Sequence, residues 1–142
     1  MTRVTMQIEG GDQLAAALRA YGAAAERHVG DAVNATGLEL RGEIVKAYQR
    51  GPASGVTYEK YNPRRTHTAS APGEAPATDT GRLASSVDFK REGPMSATVG
   101  STVVYAAILE FSGDRPAWVP ATEAMRPKFR QRLESALERA AK

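Results

Sequence analysis

Asp79-Thr80-Gly81-Arg82-Leu83-Ala84-Ser85-Ser86 is the stretch on which the fold turns. It opens on turn formers, and Thr78 or Asp79 is placed to cap a short helical turn through Leu83. Ser85 and Ser86 read as a polar entry into a strand. Val87 and Phe89 then alternate with Asp88 and Lys90, the period of a half-buried strand. Gly93-Pro94 marks a turn. Ala97 and Val99 alternate with Ser96, Thr98 and Gly100, which predicts the returning strand of a hairpin.

Outward from this hairpin, both ends of the chain read as helix. Upstream, Leu14, Leu18, Tyr21, Ala25, Val29, Val33, Leu40, Ile44 and Tyr48 recur mostly every three or four residues. This predicts one long amphipathic helix from about Asp12, its cap, to Gln49. Gly22, Gly30, Gly37 and Gly42 each cost about 1 kcal/mol relative to Ala, so a break near Gly30 or Gly37 is an open alternative. Before the helix, Val4, Met6 and Ile8 alternate as a short strand ended by Gly10-Gly11. Downstream, Tyr105, Ile108 and Leu109 share the spacing of a helical turn, although Thr102 to Tyr105 also fits an extended strand. Asp114 to Pro120 reads as a rigid connector holding the single Trp118. A last helix is predicted from about Ala121 to Ala140, with Met125, Phe129, Leu133, Leu137 and Ala140 on its apolar face.

Residues 51–78 show no hydrophobic period. Pro52, Pro63, Pro72 and Pro76 fall there with Gly55 and Gly73, which predicts a long extended or flexible loop of a functional kind. The end of the first helix and the start of this loop carry the charge asymmetry of the chain. The formal net charge is +3. Residues 41–67 hold Arg41, Lys46, Arg50, Lys60, Arg64 and Arg65 against only Glu43 and Glu59. Tyr58, Lys60, Tyr61, Arg64 and Arg65 form an aromatic and basic cluster. Aromatics beside cations stack on single-stranded nucleic acid, and Tyr and Arg are also enriched at protein interfaces. No known nucleic-acid module accompanies them, which favours the interface.

The chain has 142 residues and no cysteine, with 42% hydrophobic and 6% aromatic content. That length fits one domain over residues 1–142. A core of Ala, Val and Leu gains less per side chain than an aromatic one, which raises the expectation of oligomerisation. The lack of cysteine excludes disulfides, thiol nucleophiles and thiolate metal sites, and suits the cytoplasm. Neither a signal segment nor a membrane span is expected.

The motifs of chemistry are missing. His28 and His67 lie in different elements without a cluster of metal-ligating type. There is no nucleophile elbow, P-loop or dinucleotide fingerprint. Asp79 and Glu110 could pair as acid and base only if Asp79 were not a cap, and Ser85 and Ser86 lack a base. Arg82 is either exposed or bridged to Glu110. No catalytic residue, cofactor or metal is expected.

The run from Ser70 to Val87, Ser-Ala-Pro-Gly-Glu-Ala-Pro-Ala-Thr-Asp-Thr-Gly-Arg-Leu-Ala-Ser-Ser-Val, is followed by Val99-Gly100-Ser101. Tyr105-Ala106 with Leu109-Glu110-Phe111 comes next, then Arg115-Pro116 leading to Pro120-Ala121. In this order and spacing the chain resembles the neck and tail-component proteins of long-tailed bacteriophages, the head–tail joining group. With the long first helix, the resemblance covers most of the chain. It departs at Ser112-Gly113, where the family usually has Gly directly after Glu-Phe, and at Ala117-Trp118, where an aromatic often follows Arg-Pro directly.

The resemblance implies a non-enzymatic virion protein of the neck or tail, assembled in the host cytoplasm. It implies a six-fold ring of copies around the DNA channel, through which DNA passes without sequence specificity. Its partners would be head-closure or connector proteins and tail-terminator or tail-tube proteins. The alternatives are a tail terminator or tail-completion protein of the same assembly, and a small basic DNA-binding protein. The implied fold is α+β, a small twisted antiparallel sheet packed on a long N-terminal helix, which agrees with the elements read above and the C-terminal helix. Tyr58, Lys60, Tyr61, Arg64, Arg65, Arg82, Glu110 and Trp118 are the expected interface residues.

Overall fold

The periodic segments become helices and strands where expected. A computed structural model of the protein describes residue 7 and residues 9–142. The strand expected at Val4, Met6 and Ile8 lies outside the described residues. In order, the elements are α1 (Gly11–Gln49), β1 (Thr57–Tyr61), β2 (Arg64–Thr68), α2 (Arg82–Ser85), β3 (Val87–Gly93), β4 (Ser96–Ser101), α3 (Tyr105–Phe111) and α4 (Trp118–Ala140). The protein is α+β, with long N- and C-terminal helices and two separate two-stranded antiparallel sheets in place of one.

Helix α1 runs unbroken through its four glycines. At 1.5 Å per residue its 39 residues span about 58 Å. Two of the glycines are used for close approach, being seven residues apart on one face. A Cβ on Gly30 would strike the Pro94 carbonyl in the β3–β4 turn, and one on Gly37 would strike the Phe89 ring. The β3–β4 hairpin thus lies along α1, and Arg41 donates from Nε to the Val87 carbonyl at 3.1 Å. At the start of α1, Gly10 is the N-cap with φ 94°, and Asp12 sits inside the first turn. Asp12 therefore favours the helix through its dipole and not as a cap.

Helix α4 runs back along α1. Trp118 at its start donates from Nε1 to the Tyr48 hydroxyl at 2.5 Å. Further along, Lys128 reaches Glu39 at 2.7 Å, and Arg132 reaches both Glu39 and Thr36. Helix α4 begins at Trp118, so the connector is shorter than expected. Pro120 falls in the first turn, where its missing N–H costs nothing.

The core is small and lies at the C-terminal end of α1. Ile44, Tyr48, Ala84, Val87 and Ala117 form it, with Leu40, Leu83, Val99 and Trp118 against them. Among the described residues, Tyr48, Ile44 and Val87 are the largest fully buried side chains. At about 1.5–3 kcal/mol for each such side chain, this cluster anchors one end of the molecule only. The first half of α1, expected to bury its apolar stripe, leaves Leu14, Leu18 and Tyr21 exposed.

Candidate functional site

The segment between α1 and α2 is an excursion with a β-hairpin at its centre. Strands β1 and β2 pair Thr57 with Thr68, Tyr58 with His67, Lys60 with Arg65 and Tyr61 with Arg64. Asn62 and cis Pro63 make the turn. Alternation along the strands is between polar residues, which is why no hydrophobic period announced it. Side chains alternate between faces, so Tyr58, Lys60, Arg65 and His67 share one face. Glu59, Tyr61, Arg64 and Thr66 share the other.

Asp79 closes the excursion. Its carboxylate accepts from Lys60 on β1 and from Arg65, directly opposite on β2, with His67 Nδ1 3.6 Å away. One side chain thus staples both strands. The Arg65 and then the Lys60 hydrogen bonds hold the Asp79 carboxyl far below the usual carboxylate range. Asp79 does not cap α2, because both of its oxygens are taken. The N-cap of α2 is Gly81 at φ 78°, a conformation that favours glycine. Thr78 does not cap it either: its hydroxyl donates to the Tyr48 carbonyl at the end of α1.

Further ties fix the base of the excursion. Gly55 N–H donates to Ala69 at 2.7 Å and Gly73 N–H to Asp114 at 2.7 Å. Ser54 donates to Glu74 at 2.6 Å, and Glu74 also accepts from Ala71 N–H at 3.0 Å. These bonds hold the Glu74 carboxyl below its ordinary value. The loop is therefore a braced arm. Between its base and α3 lies a cleft of about 400 Å³, lined by Tyr48, His67, Asp79, Tyr105, Leu109 and Arg115 among others.

Glu110 has a role that local sequence patterns did not signal. It is buried, and its carboxylate reaches the open end of α4. Ala117 and Trp118 N–H donate to Oε2 at 2.7 and 3.1 Å, and Val119 N–H donates to Oε1 at 2.7 Å. A helix start leaves its first N–H groups unpaired. The residue at the N-cap position, Ala117, cannot help. A lone carboxylate in an apolar run, seven residues before an uncapped helix, was the available signal. Arg82 is exposed, and the bridge to Glu110 considered from sequence does not form within the chain.

The eight expected interface residues therefore divide. Tyr58, Tyr61, Arg64 and Arg82 are exposed, Tyr61 more than Tyr58 at 72% against 52%. Tyr61 donates to Glu59 at 2.6 Å, and that bond raises its phenol pKa. Lys60 and Arg65 turn to Asp79. Glu110 and Trp118 face inward as the α3–α4 joint, where burial pushes the Tyr48 phenol up. Among the described residues no group of His, Asp or Glu is arranged to hold a metal ion, and no helix is long and apolar enough to cross a membrane.

A family model described as "Bacteriophage HK97-gp10, putative tail-component" matches residues 12–111. The match takes in α1, the braced arm, the β3–β4 hairpin and α3. No curated protein and no solved structure matches the chain.

Proposed function

The chain belongs to the HK97-gp10-like family of phage tail components, and from that premise we propose that it is a non-enzymatic joining subunit between head and tail. Copies form a ring, six-fold, around the DNA channel. The hairpin is the arm that meets the next component, a head-closure or connector protein on one side or a tail-terminator or tail-tube protein on the other. The observation that carries this reading is the braced hairpin. Its outer face presents Tyr61 and Arg64 to solvent while Asp79 fixes its inner face. A stiff arm with an exposed aromatic and a cation suits docking, because little entropy is lost on contact. Both carboxylates that a catalytic reading would need already have structural partners, Asp79 as the staple and Glu110 as a cap.

The pairing of Lys60 and Arg65 with Asp79 weighs against a dedicated DNA-binding protein, since two of the three Lys and Arg side chains on the hairpin turn inward to share one carboxylate, which halves their combined charge. Contact with DNA in a joining ring is weak and blind to sequence.

The test is made in particles. Tyr61→Ser with Arg64→Glu, or deletion of residues 53–76, is expected to leave heads and tails separately assembled but unjoined in electron micrographs. Normal yields of infectious particles from both variants would refute the proposal. Tight DNA binding by the free chain, falling steeply between two salt concentrations, would favour the DNA-binding alternative. Tails of uncontrolled length would mark a tail terminator instead.

A further inference from the structure

Two exposed apolar stripes of the same spacing lie at opposite ends of α1. The first is Leu14, Leu18 and Tyr21 on α1, each between 39% and 61% exposed. Helix α4 accompanies α1 from Tyr48 back past Thr36, and the β3–β4 turn covers Gly30. Among the described residues nothing lies over the turns beyond. At 1.5 Å per residue these form a projection of about 25 Å. The second stripe is Val104, Ile108 and Phe111, at the start of α3 and along it, each between 56% and 83% exposed. From Ser101 to Gly113 the only charged residue is Glu110, and it is buried as the cap of α4. The surface of this segment therefore presents no charge, the signature of an interface core.

Both stripes follow the i, i+4, i+7 spacing of one helix face, so their ridges can interdigitate. They cannot meet within one chain. Tyr105 and Leu109 border the same cleft as Tyr48, which places α3 at the C-terminal end of α1. Tyr21 lies 27 residues earlier on a continuous helix, about 40 Å away. The two stripes together leave six large apolar side chains between 39% and 83% exposed, on the order of 700 Å² of apolar surface. With polar neighbours added, that approaches the order of 1,000 Å² that a biological interface should clear.

We infer that the α1 stripe of one copy docks on the α3 stripe of the next. Pairing either stripe with itself leaves the other bare, whereas pairing them with each other covers both. The contact is head-to-tail, so it propagates and closes only as a ring. The assignment rests on the tail-component reading for its purpose and on the surface itself for its geometry.

The test uses sedimentation velocity of the full chain over a wide concentration range. The wild type is expected to form species larger than a dimer. Leu14→Glu with Leu18→Glu, and separately Ile108→Glu with Phe111→Glu, should each weaken association on the order of 100-fold or more, since each buries unpaired charge. Circular dichroism checks that both variants fold. An equal mixture of the two variants retains one intact junction and should form dimers and nothing larger. Because the chain has no cysteine, a Leu18→Cys, Ile108→Cys chain adds a clean second measurement. A bis-maleimide should cross-link it into a ladder beyond the dimer.

Three results would overturn the inference. One is either charge variant assembling like the wild type. Another is a monomeric wild type that also gives no cross-link above single-cysteine controls. The last is a chain that associates only after residues 1–8 are removed, which would assign the α1 stripe to the chain's own N-terminal segment. Variants that lose self-association yet enter particles normally would remove this interface and leave the joining reading intact.

Discussion

Replacing Glu110 with Ala is expected to destabilise the protein by about 3–5 kcal/mol, because Glu110 holds the backbone of Ala117, a core residue, and of Trp118, which donates to the core Tyr48. Three backbone N–H groups lose their acceptor at once. Ala117 is 2% exposed, so its N–H cannot be rehydrated in place and costs about 1–3 kcal/mol on its own. The Trp118 and Val119 N–H groups are nearer water and add about 1 kcal/mol each, including the lost attraction between a carboxylate and the helix start. For a chain of this size the midpoint of thermal unfolding should fall by roughly 10–15 °C. Glu110→Gln keeps the shape and one acceptor oxygen but loses the charge, and should cost about 1–2 kcal/mol. Trp118 is the single tryptophan and sits at this joint, so its fluorescence reports the perturbation directly. Denaturant melts followed by Trp118, with amide exchange at Ala117, Trp118 and Val119, make the measurement. An Ala variant within about 0.5 kcal/mol of the wild type, the range of an ordinary surface substitution, would show that the cap is not holding α4.

Gly22→Ala meets nothing within 4 Å and should stabilise α1 by about 0.5–1 kcal/mol, whereas Gly30→Ala pushes on the Pro94 carbonyl and should cost about 1–3 kcal/mol; thermal melts of the two compare them directly, and equal shifts would contradict the close approach. The Lys128 and then the Arg132 hydrogen bonds lower the Glu39 pKa from 4.5 to about 2, so its contribution is complete above the unfolded value near 4.5 and is lost as pH falls toward 2. Acid titration of Glu39→Gln should therefore lack that part of the wild-type loss of stability below pH 4.5. Asp79→Asn removes the staple and should speed trypsin cleavage after Lys60, Arg64 or Arg65 with little change in the melting of the body; cleavage at the wild-type rate would mean that the base ties alone hold the hairpin.

What the sequence disclosed and what it hid follow from how each feature is held together. Elements stabilised by their own apolar period were legible: α1 to within a residue at its start, both strands β3 and β4, the α3 turn and most of α4. The β1–β2 hairpin was not, because its alternation is polar against polar and its register is fixed by Asp79, outside either strand. The Asp79 and Glu110 carboxylates both tie backbone or strands together, in arrangements that local spacing does not announce. Local rules place a cap two or three residues from the N–H groups it serves, so Asp79 was assigned to the adjacent helix. Glu110, acting across a loop on the helix after it, obeys no such spacing.

The apolar stripe of α1 shows a further limit of periodicity. Its mostly three- and four-residue spacing runs from Ile44 and Tyr48, which are fully buried, to Leu14 and Leu18, which are more than half exposed. Period reports that a face must be covered; it does not say by which chain. A chain whose described residues include three large fully buried side chains and two uncharged or apolar stripes in water has divided its apolar residues between a small core and surfaces of similar chemistry. The small, aromatic-poor composition points the same way, since the inferred contact would add the burial that such a core supplies sparingly. On that argument, the half of α1 that the isolated fold leaves bare is the face we infer to dock on a neighbouring copy.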